Sequence, residues 1–255
     1  MEHAQFLSVV IPAHNEEGNI ESTVKDLHKT LGDAGIEHEI LVVNDHSSDG
    51  TAQSLERLLV DIPTGFRFVE NQGPGGFGFA VRAGLKSFRG DTVAIVMADA
   101  SDVPADVVRF FRKIQEGYDC AFGSRFMAGS NVVDYPWPKL ILNRFANLFI
   151  QLLFQLRFND ITNAFKMYRR HVVEGLEPFL SHQFNLTVEL PLKSIVRGYT
   201  YAVVPNTWIN RKFGVSKFKV KEMGSRYLFI VIYCLIEKWL SRGDYARKRE
   251  SGGLP

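Results

Sequence analysis

The sequence predicts an α/β fold in which a mostly parallel sheet carries helices on both faces, and three observations lead to it. Short β-branched runs alternate with segments whose apolar residues recur at helical spacing. Such alternation needs crossover helices, and these cover both faces of a parallel sheet. Asn, Asp, His and Glu crowd into the loops just after the strands, the edge where sheets of this kind bind ligands.

Phe6 to Ile11, ending at Pro12, reads as a buried parallel strand. Glu39 to Val43 reads as a second, ending in the turn Asn44-Asp45-His46-Ser47-Ser48-Asp49-Gly50. Between them, Ile20, Val24, Leu27 and Leu31 mark a helix over Asn19 to Leu31, after the turn Asn15-Glu16-Glu17-Gly18. A helix from Thr51 to Leu59, a strand at Phe66 to Glu70, a helix over Phe77 to Ser87 and a strand at Thr92 to Met97 continue the pattern. In the second half a strand from Asp119 closes at Gly123-Ser124-Arg125, and a long helix runs from Pro138 to Phe158. Asp160-Ile161-Thr162-Asn163 makes a turn, and Gly198 to Pro205 reads as a strand. One domain is expected over residues 1–241, its parts being about 1–125, 126–218 and an apolar helix at 219–241. A disordered tail at 242–255 completes the chain.

A chain of 255 residues with 45% hydrophobic content can bury a full core. Lys and Arg total 30 against 28 Asp and Glu, so the net charge of +2 supplies no global field for nucleic acid. The two cysteines, Cys120 and Cys234, lie in apolar runs without metal-ligand spacing, which suits buried thiols in a reducing compartment. The N-terminus lacks a basic segment and a cleavage site, so the chain is expected in the cytoplasm. No stretch reaches the roughly 18 uninterrupted apolar residues of a spanning helix, so any membrane attachment is peripheral. A dinucleotide-binding dehydrogenase is excluded, because the first loop, PAHNEEGN, has no G-x-G-x-x-G.

Read in order, VVIPAHNEE, VVNDHSSDGT, an acidic loop after an apolar strand, GSRF, DITNAFKMYRR and NRKFGVSKF resemble the inverting family 2 glycosyltransferases of GT-A fold. Within that family they are most similar to the branch of dolichol-phosphate mannose synthase and the polyprenyl-phosphate sugar synthases. The resemblance implies a Rossmann-like GT-A domain with a nucleotide-sugar-binding first half, an acceptor half and a membrane-associating apolar helix. It implies that Pro12, His14, Glu16, Asp45, Ala98 and Asp99 line the nucleotide pocket, with His14 where the family commonly has Tyr.

The loop Met97-Ala98-Asp99-Ala100-Ser101-Asp102 departs from the family's D-x-D pair, because Ala98 stands where the first Asp belongs. Asp99 and Asp102 are the expected ligands of Mg²⁺ or Mn²⁺, since hard oxygen ligands suit hard cations and the metal neutralises the leaving diphosphate. The resemblance assigns Arg125, Arg211 and Lys217 to donor and acceptor phosphates and, with the acid pair, to catalysis. Lys139, Asn143 and Arg144 would face the acceptor phosphate. Arg forks and Lys point charges are the side chains such anions favour.

The implied reaction moves a hexose from a nucleotide diphosphate sugar, GDP-mannose or a UDP-sugar, to a polyprenyl or dolichyl phosphate. A phosphate acceptor is already an anionic nucleophile, so alignment and charge neutralisation suffice. A sugar hydroxyl acceptor would need a base, for which Asp160 or Glu189 would be candidates, although each suits a structural role better. Leu140 to Phe158 and Tyr227 to Leu240 could lie in a bilayer interface, flanked by basic residues that favour anionic lipid. The same helices could instead bury in a homodimer. Two rivals stay open: a glycosyltransferase with a soluble or saccharide acceptor, and a non-catalytic nucleotide-sugar-binding subunit motivated by Ala98.

Overall fold

A computed structural model describes residues 6–210, 220–241 and 243–246. The chain opens with strand β1 (Phe6–Ala13), helix α1 (Ile20–Asp33), strand β2 (Glu37–Asn44), helix α2 (Thr51–Asp61), strand β3 (Phe66–Glu70), helix α3 (Phe77–Ser87) and strand β4 (Thr92–Ile95). Helix α4 (Pro104–Gln115) and strand β5 (Cys120–Ser124) follow. Then come β6 (Asn131–Val133), α5 (Trp137–Phe154), β7 (Lys166–Arg169), α6 (Arg170–Leu176), α7 (Leu186–Val196), β8 (Tyr201–Pro205), β9 (Thr207–Ile209) and α8 (Val220–Leu240).

The main sheet has seven strands in the order β3-β2-β1-β4-β7-β5-β8. All neighbours pair in parallel except β7, which runs antiparallel to both β4 and β5. Chain order reverses between β1 and β4, and crevices at such switch points are where doubly wound sheets hold ligands. A small parallel pair, β6 with β9, stands apart, and an antiparallel bridge ties Trp208 to Asp102.

Alternation along the strands sorts the core into two layers. Leu7, Val9 and Ile11 of β1 pack with α1, α2 and α4, while Val10 packs with α3 and the later helices. Helices α5 and α8 join this second layer through Ile150, Phe154, Ile230, Val231 and Cys234. Seating α3 against β1 requires Gly84, where an added Cβ would lie 2.3 Å from Val10 Cγ1. The long helix expected to reach Phe158 ends instead at Phe154, because Gln155 takes the left-handed conformation and caps it.

Candidate active site

The first cluster forms where β1 and β2 end. Pro12 is buried in β1 opposite Val43, and Asp45 follows β2 with its amide donating to the Ala13 carbonyl at 2.7 Å. The exposed His14 ring closes the corner, its Nδ1 lying 2.6 Å from the Asp45 carbonyl and therefore donating. Asn15, at φ 56, accepts the Ser48 amide at 2.7 Å. Glu16 accepts from Asn19 Nδ2 at 2.9 Å, and its own amide donates to Thr51 Oγ1. The two loops are thus laced together before any ligand binds.

The Asp45 carboxylate reaches the glycine loop before α3. Its oxygens accept from Asn71 Nδ2 and from the Gly76 amide, each at 2.7 Å. Gly76 sits at φ 143, a conformation costly for any residue with a Cβ, and such an atom would lie 2.3 Å from Gln183 Nε2. Gly78 is equally constrained, because a Cβ there would sit 2.5 Å from the His182 backbone. Phe77 stacks on Phe184 at 4.3 Å and Phe79 on His182 at 4.5 Å. Segment 180–185 is therefore built into this edge, which sequence reasoning missed. The signal was the run Gly75-Gly76-Phe77-Gly78-Phe79, whose small residues admit a second chain and whose rings need partners.

The second cluster lies after β4. Ala98 is buried and offers only its carbonyl, which accepts from Thr23 Oγ1 at 3.1 Å. Ala100, at φ 57, turns the loop. Asp99 and Asp102 are both buried, with Asp99 Oδ1 accepting from the Ser101 amide and Asp102 Oδ2 from the Met97 amide. Burial pushes Asp102 up to about 7, and the neighbouring Asp99 charge adds to that rise. Buried carboxylates offer the hard oxygen atoms that suit a hard cation. Among the described residues no third His, Cys, Asp or Glu joins them.

The third cluster joins β5 to the turn after α5. Arg125 is buried, and its guanidinium makes a two-pronged contact with Asp160, Nε and Nη2 both at 2.8 Å. The Arg125 amide donates to the same carboxylate at 2.9 Å. Although burial opposes its charge, Asp160 holds Arg125 above the ordinary arginine range. The Arg125 charge also stabilises ionised Asp102, so the second and third clusters form one electrostatic unit. Lys166 sits buried beneath them, pulled down to about 7 by desolvation. Its ammonium donates to the carbonyls of Ile161, Asn163 and Thr187.

Of the three residues assigned to an acceptor phosphate, Lys139 lies exposed in the first turn of α5. Asn143 donates to Thr162 Oγ1 at 2.8 Å, and Arg144 lies over the Phe126 ring at 4.6 Å. Arg211 and Lys217 fall outside the described residues. The structure buries Asp99, Asp102 and Arg125 and gathers Pro12, His14, Glu16 and Asp45 at the ends of β1 and β2. The two candidate bases are committed elsewhere. Asp160 is fully buried on Arg125, and Glu189 is fully buried 2.6 Å from Lys193 Nζ.

Comparison with known proteins places this geometry in a family. The model of Glycosyl transferase family 2 matches residues 8–176. Polyprenol monophosphomannose synthase of Mycolicibacterium smegmatis is 32% identical over 233 residues, 86% of this chain and 86% of that protein. Dolichol-phosphate mannosyltransferase of Pyrococcus furiosus is 30% identical over 218 residues, 84% of this chain; the chain spans 60% of its length. Glucosyl-3-phosphoglycerate synthase of Mycobacterium tuberculosis, solved in complex with Mn²⁺, UDP and glucosyl-3-phosphoglycerate, superposes with a TM-score of 0.66 at 20% identity. That superposition covers 92% of this chain and 80% of the other, and what it establishes is the shared fold.

Proposed function

The chain belongs to glycosyltransferase family 2, and on that premise we propose that it transfers a hexose from a nucleotide diphosphate sugar to a polyprenyl phosphate. The names of its two relatives, which act on polyprenol and dolichol phosphates, support this acceptor. The observation that carries it is the commitment of Asp160 and Glu189 to buried ion pairs, since a hydroxyl acceptor would need such a carboxylate as its base. A phosphate monoester needs none.

In this reading His14, Glu16 and Asp45 border the base and ribose, with Pro12 and Ala98 shaping the floor of the pocket. Asp99 and Asp102 would hold Mg²⁺ or Mn²⁺, which supplies charge neutralisation to the leaving nucleotide diphosphate. Arg125, locked on Asp160, lends positive potential to the acid pair. Lys139, Asn143 and Arg144, together with Arg211 and Lys217, receive the phosphates. The acceptor oxygen attacks the anomeric carbon, the bond to the diphosphate breaks, and the configuration inverts.

A lipid acceptor also accounts for an otherwise unfavourable surface. Trp137, Ile141, Phe145, Leu148 and Leu152 form an exposed stripe on α5, and Leu228, Ile232, Ile236 and Trp239 another on α8. No described helix is long and apolar enough to cross a membrane. The exposed stripes support peripheral attachment of these faces to a bilayer, with a homodimer as the competing way to cover them.

The test is a thermal-shift panel of GDP, UDP, CDP and ADP with and without Mn²⁺, followed by transfer to polyprenyl phosphate in detergent. One nucleotide should raise stability by about 2.7 kcal/mol at 100 times its Kd, and only with metal. Absence of any nucleotide effect would overturn the reading, and nucleotide binding without transfer or donor hydrolysis would replace it with a non-catalytic nucleotide-sugar-binding subunit. Transfer to a soluble saccharide alone would replace the acceptor.

A further inference from the structure

Phe126, just after β5, has no role so far, yet two cationic groups of the site converge on its ring. The Arg144 guanidinium lies 4.6 Å from the ring centroid and that of Arg125 5.3 Å. The two arginines are held differently. Arg125 is fixed by Asp160, whereas Arg144 is exposed on α5 and has one further contact, Nη1 to the Asn159 carbonyl at 3.4 Å. Without the ring, little would select one conformation for so flexible a side chain.

Phe126 is itself tightly placed. Its carbonyl accepts from Asn159 Nδ2 at 2.8 Å, and its amide donates to Ser124 Oγ at 3.2 Å. Ser124 Oγ donates to Asn159 Oδ1 at 2.6 Å, closing a three-residue knot beside the Asp160 turn. The Phe126 backbone is therefore tied to the end of β5, and a guanidinium lying over its ring is placed from that anchored position. Stacking occupies the flat face of the group and leaves its N–H edge for a phosphate.

We propose that Phe126 is a positioning residue for the acceptor phosphate, presenting the Arg144 guanidinium in register with the buried Arg125–Asp160 pair. The inference rests on the acceptor reading above and deepens it. Arg144 touches the acceptor phosphate, and Phe126 acts through Arg144. The ring supplies attraction as well as shape, since a cation over an aromatic face at an exposed site is stabilised by about 0.5–1 kcal/mol.

The experiment measures KM for polyprenyl phosphate and for the nucleotide sugar in wild type, Phe126→Leu, Phe126→Tyr, Arg144→Ala and the Phe126→Leu/Arg144→Ala double variant. Phe126→Leu should raise the acceptor KM about two- to fivefold and leave the donor KM and the melting temperature unchanged. Phe126→Tyr, which keeps the aromatic face, should restore the wild-type value. Arg144→Ala should weaken acceptor binding, and the double variant should be no worse than Arg144→Ala alone. Equal changes in both KM values, or multiplying effects in the double variant, would overturn the inference. Should wild type glycosylate polyprenyl phosphate and Phe126→Leu match it, the inference alone falls; should wild type fail to, the acceptor reading falls and takes the inference with it.

Discussion

The two halves of the molecule handle charge in opposite ways. In the first, ion pairs lie on the surface: Lys25 with Asp61, Lys29 with Asp33 and Arg57 with Glu21 are substantially exposed. Arg67 with Glu39 is drawn inward, and Arg109 reaches a buried Asp106 from a half-exposed position. In the second half three pairs are buried at both ends, namely Arg125 with Asp160, Glu189 with Lys193 and Arg197 with Glu237. The first half therefore gets its shape from apolar alternation and from turns. The second depends on pairs that must find one another while leaving water, a costly arrangement that fixes geometry when complete. Loops at the strand ends can be assembled from backbone amides and turn residues, as at Asp45 and Gly76. The helix layer of α5 and α8 leaves apolar faces exposed, and the Arg197–Glu237 pair pins α8 to the end of α7.

Breaking one partner in each half is the strongest challenge to this contrast. Asp160→Ala leaves the Arg125 guanidinium buried without its counter-charge and should cost about 3–5 kcal/mol in chemical denaturation. Asp33→Ala, which removes an exposed partner, should unfold like wild type. Equal effects from the two would dissolve the distinction.

The same contrast governs what was legible in the sequence. In the first half, α3 and β3 fall on the residues that periodicity and turns assigned, and β1 and β2 extend only slightly beyond them. The loops bearing His14, Asp45 and Asp99 were legible because polar residues at strand ends announce themselves. In the second half β7 was missed. Its first residue, Lys166, reads as surface, yet three backbone carbonyls satisfy its ammonium inside the core. Helix α7 was missed for a related reason: Glu189, Lys193 and Arg197 repeat at four-residue spacing like a solvated face but are buried. Burial of Arg197 depends on Glu237, a partner distant in sequence, and no local pattern reveals it. Arg125 was singled out, but Asp160, which takes up its guanidinium, was read as a turn residue.

A packing test sharpens the comparison from the apolar side. Gly84→Ala drives a methyl against Val10 Cγ1 and Val43 Cγ2 and should destabilise by about 1–3 kcal/mol, the usual cost of overpacking. Gly32→Ala, in α1 with nothing within 4 Å of the new atom, should stabilise by about 0.5–1 kcal/mol through the unfolded chain. Thermal melts of the two variants would separate tight interlayer seating from helix propensity, and a stabilised Gly84→Ala would show that the α3–β1 contact yields.

The smallest effect concerns a half-buried histidine of the first half. His38 on β2 donates from Nδ1 to the Ile36 carbonyl at 2.8 Å, so its Nε2 accepts from His28 Nδ1 at 3.0 Å. Burial first, and then the His28 ring, hold His38 below the ordinary histidine value. Protonation would set two N–H groups against each other. Near pH 8 both folded and unfolded chains carry His38 neutral, and it contributes no pH dependence. As pH falls through about 6.5 the unfolded chain binds its proton first, so stability declines until the lower folded value is passed. Denaturation midpoints should therefore drop between pH 7 and pH 5, and His38→Gln, which cannot take up a proton, should flatten that drop. An unchanged slope in the variant would mean that carboxylates elsewhere set the acid limb.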